Sequence, residues 1–238
     1  MEKFKRSALL IGKDNLDKLK NSHVAVFGLG GVGGIACESL VRSGIGTLTV
    51  IDNDIVSESN INRQIIATEK TVGRNKTDVI KERLLEINSD VVVNTKNLFY
   101  LPETAFEIDL TKFDYIIDAI DTVTAKLELI ERATNLGVKI ISCMGTGGKT
   151  DPAKLMVTDI YKTNGCPLAK VMRTNLKKRG IEKLKVVYSE EQNVIVKEEV
   201  DTAEKKANQR VAPPSMTFVP STAGIILARE VVFDLIKD

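Results

Sequence analysis

The chain has 238 residues, with 34 Lys+Arg against 32 Asp+Glu for a net charge of +2, and 43% hydrophobic and 28% charged residues. These proportions exclude wholesale disorder and a chain-wide polycation, and they are enough for one large buried core. One histidine (His23), three scattered cysteines (Cys37, Cys143, Cys166) and no tryptophan remove most Ser–His and Cys–His catalytic schemes and any disulfide framework. The charged N-terminus has no signal-peptide core, and no run approaches 18 apolar residues, so a soluble cytoplasmic protein is expected.

Residues 7–21 are predicted as an amphipathic helix carrying Leu9, Leu10, Leu16 and Leu19. HVAVFG (23–28) is apolar and β-branched and runs straight into glycines, which predicts a buried parallel strand feeding a tight turn. A helix over 30–44 stopping at Gly44 follows, then strand 47–52, helix 77–88, strands 91–95 and 113–121, helix 122–136 and strand 138–145. This alternation implies an α/β, Rossmann-like, doubly wound and mostly parallel sheet with helices on both faces. After Gly148 the pattern changes, so a nucleotide-binding unit over 1–148 and a C-terminal extension of the same domain over 149–238 are expected. The extension reads as strand 153–161, basic helix 165–180, strand 185–189, a mobile polar loop over 190–215 and a closing apolar helix over 217–238. That helix is apolar enough to touch a membrane surface. Arg229, Glu230 and Asp234 interrupt it, however, and favour packing on the sheet or on a second copy.

GLGGVG (28–33) stands between a predicted strand and helix, as a phosphate-binding turn requires. Gly28 permits the turn, Gly30 and Gly31 let backbone approach phosphate, and Gly33 allows close helix–strand packing. Asp52, nineteen residues after Gly33, ends the second strand, where a carboxylate can take ribose hydroxyls. What comes next is unlike a hydride-transfer site. DNDIVSESNINRQI places Asp54, Asn60, Asn62, Arg63 and Gln64 beyond the strand, followed by Lys76 near Gly73, with Asp121 at the end of a later strand. Two cations and several amides at the carboxyl ends of parallel strands make a site for a polyanion. Adenylation of a carboxylate needs such groups, because charge builds on the α-phosphate and the departing pyrophosphate. Asp121 is placed to hold a Mg²⁺ ion bridging phosphate oxygens.

With Arg6 ahead of the glycine loop, the spacing from Arg6 through GLGGVG, Asp52, NINRQ and G-x-x-K, plus AID at 119–121, resembles the ubiquitin-activating-enzyme-like superfamily of adenylating enzymes. The resemblance covers roughly residues 5–145. It implies ATP with ribose on Asp52, phosphates on Asn60, Arg63 and Lys76, and metal on Asp121. It also implies a homodimer in which Arg6 reaches the partner's ATP. Where the superfamily carries arginine in D-x-x-x-x-R, this chain has Lys126, which keeps the charge without the planar fork. Within the superfamily the whole chain is most similar to the branch that uses ATP to cyclise a threonylcarbamoyl adenosine beside the tRNA anticodon with loss of water. NINRQI, IIDAID and GTGGKTDPAKLMVTDIYKT carry that likeness.

Between Lys162 and Lys185 eight cations face Glu182 alone, +7 within a chain of +2. Lys170, Arg173, Lys177, Lys178 and Arg179 on the predicted helix are the candidates for tRNA backbone contact. The opposing reading is a solvated helix face. Other readings stay open on sequence. One is an activator of a sulfur-carrier protein's C-terminal glycine, although the C-x-x-C pairs for zinc are missing and Cys166 is the sole plausible acceptor thiol. The others are a scaffold without ATP chemistry, against which Arg63, Lys76 and Asp121 stand, and a dehydrogenase resting on the glycine loop alone. A monovalent cation and a docking sulfur-transfer protein are further open partners.

Overall fold

The computed structural model describes residues 2–193 and 213–237. Seven strands form one sheet: β1 (His23–Phe27), β2 (Thr47–Ile51), β3 (Val92–Lys96), β4 (Tyr115–Asp118), β5 (Lys139–Cys143), β6 (Leu155–Asp159) and β7 (Lys185–Ser189). Their order is β3-β2-β1-β4-β5-β7-β6. Only β6 runs antiparallel, against β7. The order reverses between β1 and β4, both parallel and paired Val24 to Tyr115 through Phe27 to Asp118. Ligands bind at the carboxyl ends flanking such a reversal. The fold class is therefore the doubly wound, Rossmann-like α/β arrangement expected from the strand–helix alternation.

Alternate residues of the central strands feed separate cores, as a sheet covered on both faces requires. Val24 and Val26 join a cluster with α3 (Gly33–Ser43), α4 (Lys76–Ile87) and α7 (Phe218–Lys237). Ala25 and Phe27 join another with α5 (Val123–Asn135) and residues 100–113. A third cluster packs α5 on α6 (Pro167–Lys178) and β7.

The 7–21 helix is broken. Gly12 takes φ 87° with an extended ψ, and this splits the segment into α1 (Lys5–Ile11) and α2 (Lys13–Asn21). The anchor is α2, through buried Leu16 and Leu19; α1 has no buried residue and meets the core only through the partly buried Ile11. The 113–121 strand shortens to β4, because Ala119 is the last residue whose N–H bonds across to β1, at Phe27, before the chain turns away. In the 190–215 segment, residues 194–212 lie outside the described residues. The closing helix is present and packs on α3, where a Cβ at Gly224 would collide with the Val32 carbonyl. Two of the charges that interrupt it, Glu230 and Asp234, pin it to the sheet. Lys185 of β7 pairs with Glu230 at 2.9 Å and Asp234 at 2.7 Å, and the Tyr115 hydroxyl donates to Asp234 at 2.7 Å. His23 is structural, bonding Thr49 at 2.8 Å and meeting Phe113 edge-on.

Candidate active site

A cavity of about 900 Å³ opens at the carboxyl ends of the strands. Gly28, Gly30, Gly31, Asp52, Asp54, Asn60, Arg63, Gln64, Lys76 and Asp121, all predicted site residues, line it together. Gly28 (φ 89°) turns so tightly under the β4–α5 loop that a Cβ would lie 2.6 Å from the Ala119 carbonyl. Gly33 does not line the cavity. It lets the start of α3 sit on the Gly28 carbonyl, which is the packing role expected of the third glycine. At Gly30 nothing lies within 4 Å of a built Cβ, so the backbone there presents open space of the kind a phosphate enters.

Asp52 locks the loop in place. One of its oxygens accepts the Leu29 N–H at 2.6 Å and the other the Asp54 N–H at 2.8 Å. Burial raises its carboxyl above the ordinary range, opposed by Lys76 and by those two N–H groups. Lys76 is the first residue of α4, and only 5% of its side chain is exposed. Its Nζ sits 2.7 Å from Asp54, which is 59% exposed. A desolvated ammonium with one partner at the cavity wall is a strong anion binder, because little water screens it. Arg63 is aimed by hydrogen bonds to the Ser59 carbonyl and Asn62 Oδ1, both 2.8 Å. Asn60 closes a capping box: its Oδ1 accepts the Ser57 N–H, which fixes the turn that carries Arg63. Gln64 is buried, and among the described residues its Oε1 has no partner, so this atom can accept a hydrogen bond from a ligand. Asp121 is exposed at the cavity rim.

Lys126 is not at the surface of the site. It lies fully buried beneath it, as the sequence reading did not anticipate. Its Nζ reaches Asp118 at 2.9 Å, the Cys143 carbonyl at 2.8 Å and the Ile120 carbonyl at 3.1 Å. Asp118, also fully buried, additionally accepts the Ser142 hydroxyl at 2.5 Å. This network ties the carboxyl ends of β4 and β5 together under the loops that line the cavity. The signal was present in the sequence: an aspartate ending an apolar strand must find a partner inside.

Arg6 stands apart from the chain's own cavity, exposed on α1 beside Leu9 and Leu10, which are 82% and 83% exposed. The basic patch is smaller than its count. Arg173 caps residues 160–163 through the Thr163 carbonyl and hydroxyl, and Arg179 pairs with Glu131. Lys170, Lys177 and Lys178 stay exposed. Cys37 and Cys143 are core residues, and burial pushes the Cys143 thiol up to about 12. Cys166 is nearly fully buried at the cavity floor, packed with the α5–α6 cluster.

A cavity at the switch point lined by a glycine turn, two cations and three carboxylates matches a known family over nearly the whole chain: the ThiF family model covers residues 4–232. The chain belongs to the ThiF family. Within ThiF proteins it is similar to the tRNA threonylcarbamoyladenosine dehydratase of Bacillus subtilis, with 43% identity over 244 residues covering 100% of this chain and 96% of that protein. The Escherichia coli protein of the same name is 38% identical over 176 residues, 74% of this chain and 66% of that one. The crystal structure of the E. coli dehydratase in complex with ATP superimposes with a TM-score of 0.87 at 31% identity, over 99% of this chain and 94% of that chain. Among the described residues, no helix is long and apolar enough to cross a membrane.

Proposed function

We propose that this chain is an ATP-dependent tRNA threonylcarbamoyladenosine dehydratase. The observation that carries the reading is the single cavity in which the glycine turn, Arg63, Lys76 and Asp121 meet, in a chain alike end to end to the B. subtilis enzyme. ATP lies over Gly28–Gly31 with its ribose on Asp52, and the substrate carboxylate attacks the α-phosphate in line. The new C–O–P bond forms as the α–β bridging P–O bond breaks and pyrophosphate leaves, with Lys76 and Arg63 stabilising the developing charge. A nitrogen or the carbamoyl oxygen of the same substrate then attacks the acyl carbon, losing a proton and closing a five-membered ring. AMP departs with the carboxylate oxygen, so the nucleoside loses one water overall. The nucleophile belongs to the substrate, which suits a site without histidine or an exposed thiol.

Asp121 fits Mg²⁺: one exposed carboxylate at the cavity rim would leave most positions to water and phosphate, the arrangement this ion prefers. Bound there, the ion would neutralise phosphate charge. Residues 1–148 are read as the adenylation unit and 149–238 as an extension of the same domain, supported by β7 pairing with β5 and α7 packing on α3. Lys170, Lys177 and Lys178 supply tRNA backbone contacts, and the enzyme works in the cytoplasm with its substrate. A monovalent cation and a sulfur-transfer protein stay as further partners of this reading.

The same reading makes the protein a homodimer with Arg6 acting in trans, supported by an α1 that has no buried residue and exposes Leu9 and Leu10. Arg6→Ala and Asp121→Ala proteins are each expected to be inactive. In an equimolar mixture, about half the dimers are mixed and each holds one complete site, so about a quarter of wild-type turnover returns. No recovery after subunit exchange would place Arg6 outside the catalytic unit. With labelled ATP, AMP and pyrophosphate are expected only when tRNA bearing threonylcarbamoyladenosine is added. AMP formation driven instead by a small protein ending in Gly-Gly would identify a sulfur-carrier activator, against which the burial of Cys166 already counts for any thioester route.

A further inference from the structure

The residues assigned to the nucleotide occupy one half of the cavity, from the β1, β2 and α4 side and the β4–α5 rim. The other half is built by Met144–Gly147 after β5 and by Cys166–Leu168 at the start of α6. Among the described residues it carries no charged side chain. At about 900 Å³ the cavity is near the upper end of small-molecule pockets, enough for a second ligand beside a nucleotide. This half offers small backbone at Gly145, whereas Gly147 is covered by Pro213, whose Cγ lies 2.6 Å from a built Cβ. It also offers the Thr146 hydroxyl, half-buried and with no hydrogen-bond partner among the described residues.

We propose that this β5–α6 half is the acceptor pocket, floored by Gly145 and Thr146, that holds the threonylcarbamoyl group while its carboxylate faces the α-phosphate. The inference rests on the dehydratase reading and adds to it the residues that select the substrate. The chemistry agrees: once the carboxylate is turned toward Arg63 and Lys76, what remains of the group is a neutral urea and a secondary hydroxyl. These need room and hydrogen bonds rather than cations. A charged pocket wall would hold the carboxylate away from the phosphate.

Two glycines separate the halves experimentally. A Cβ at Gly145 meets Cys166 Sγ at 3.6 Å and Leu168 Cβ at 3.7 Å, ordinary contacts, and its backbone is not left-handed, so side chains there are compatible with folding. Gly145→Val places two methyls in the acceptor half. It is expected to lower kcat/KM for the modified tRNA by about tenfold or more, with the affinity for ATP, titrated calorimetrically without tRNA, within about twofold of wild type. Gly30→Ala, with nothing within 4 Å of its Cβ, is expected to show the opposite pattern, weakening ATP binding by about tenfold or more. Thr146→Val, near-isosteric, should lower kcat/KM for tRNA by about three- to tenfold with ATP affinity unchanged, and it decides the matter if Gly145→Val fails to fold.

Equal losses of ATP affinity and tRNA use in Gly145→Val, or wild-type kcat/KM for tRNA in Gly145→Val and Thr146→Val, would overturn the acceptor pocket while leaving the dehydratase reading in place. Wild-type protein that binds ATP yet never dehydrates the modified tRNA would overturn both.

Discussion

Lys76→Met is expected to lower kcat/KM for tRNA dehydration by about 10²- to 10³-fold, the usual cost of removing one preorganised charge-stabilising group. The melting temperature should shift by no more than about 2 °C. The split follows from where the ends of this side chain lie. The stem is buried at the start of α4, and methionine fills nearly the same volume. The head pairs with Asp54, whose side chain is 59% exposed, so the carboxylate left behind is solvated and the ion pair adds little to stability. For a nucleotide the same ammonium is a desolvated cation on the cavity wall, and no water replaces it. Steady-state kinetics beside a thermal melt reads both quantities. Activity close to wild type in folded Lys76→Met would remove phosphate stabilisation from this residue, and a large drop in melting temperature would make it structural instead.

Lys126→Met should act in the opposite way, costing about 3–5 kcal/mol of stability, because it leaves the fully buried Asp118 carboxylate without its cation. At about 2–4 °C per kcal/mol for a chain of this size, the melting temperature falls by roughly 6–20 °C. The double variant Asp118→Asn/Lys126→Met removes the unpaired charge and is expected to regain much of that loss, since neutral buried replacements often do no worse than the pair they displace. Loss of activity is also expected, as the loops carrying Asp121 and Gly145 are no longer tied to each other through the ammonium. Equal melting temperatures for wild type and Lys126→Met would show that the pair does not hold the strand ends.

How far the molecule could be read in advance differs from segment to segment. The glycine turn and Asp52 were legible because their chemistry is local: the turn needs a glycine at φ 89°, and a carboxylate at a strand end has few places to point. The edges of β7 at 185 and 189 were legible to the residue, whereas 113–121 is longer than β4 by two residues at its start and three at its end. Apolar composition marks burial, but it does not mark where ladder hydrogen bonds stop, and Ala119–Asp121 are a loop held by the side chains of Asp118 and Lys126. The antiparallel setting of β6 and the place of β7 beside β5 depend on crossovers that no local pattern encodes. Charge counting overstated the basic patch for a related reason. Arg173 finds a partner at Thr163, ten residues back, and Arg179 and Lys185 find theirs far away in sequence, at Glu131 and at Glu230 with Asp234; a tally of positive residues takes no account of them. Lys126 was legible as a departure from an arginine pattern, yet its depth beneath the cavity was visible only once β4 and β5 were placed side by side.

The central claim is that one cavity couples ATP cleavage to loss of water from a tRNA nucleoside. The most direct test incubates the protein with ATP, Mg²⁺ and tRNA carrying threonylcarbamoyladenosine, digests the RNA and weighs its nucleosides. The account predicts conversion of that nucleoside to one lighter by a single water, dependent on ATP and matched mole for mole by AMP. An unchanged nucleoside mass in the presence of folded, ATP-binding protein would contradict it.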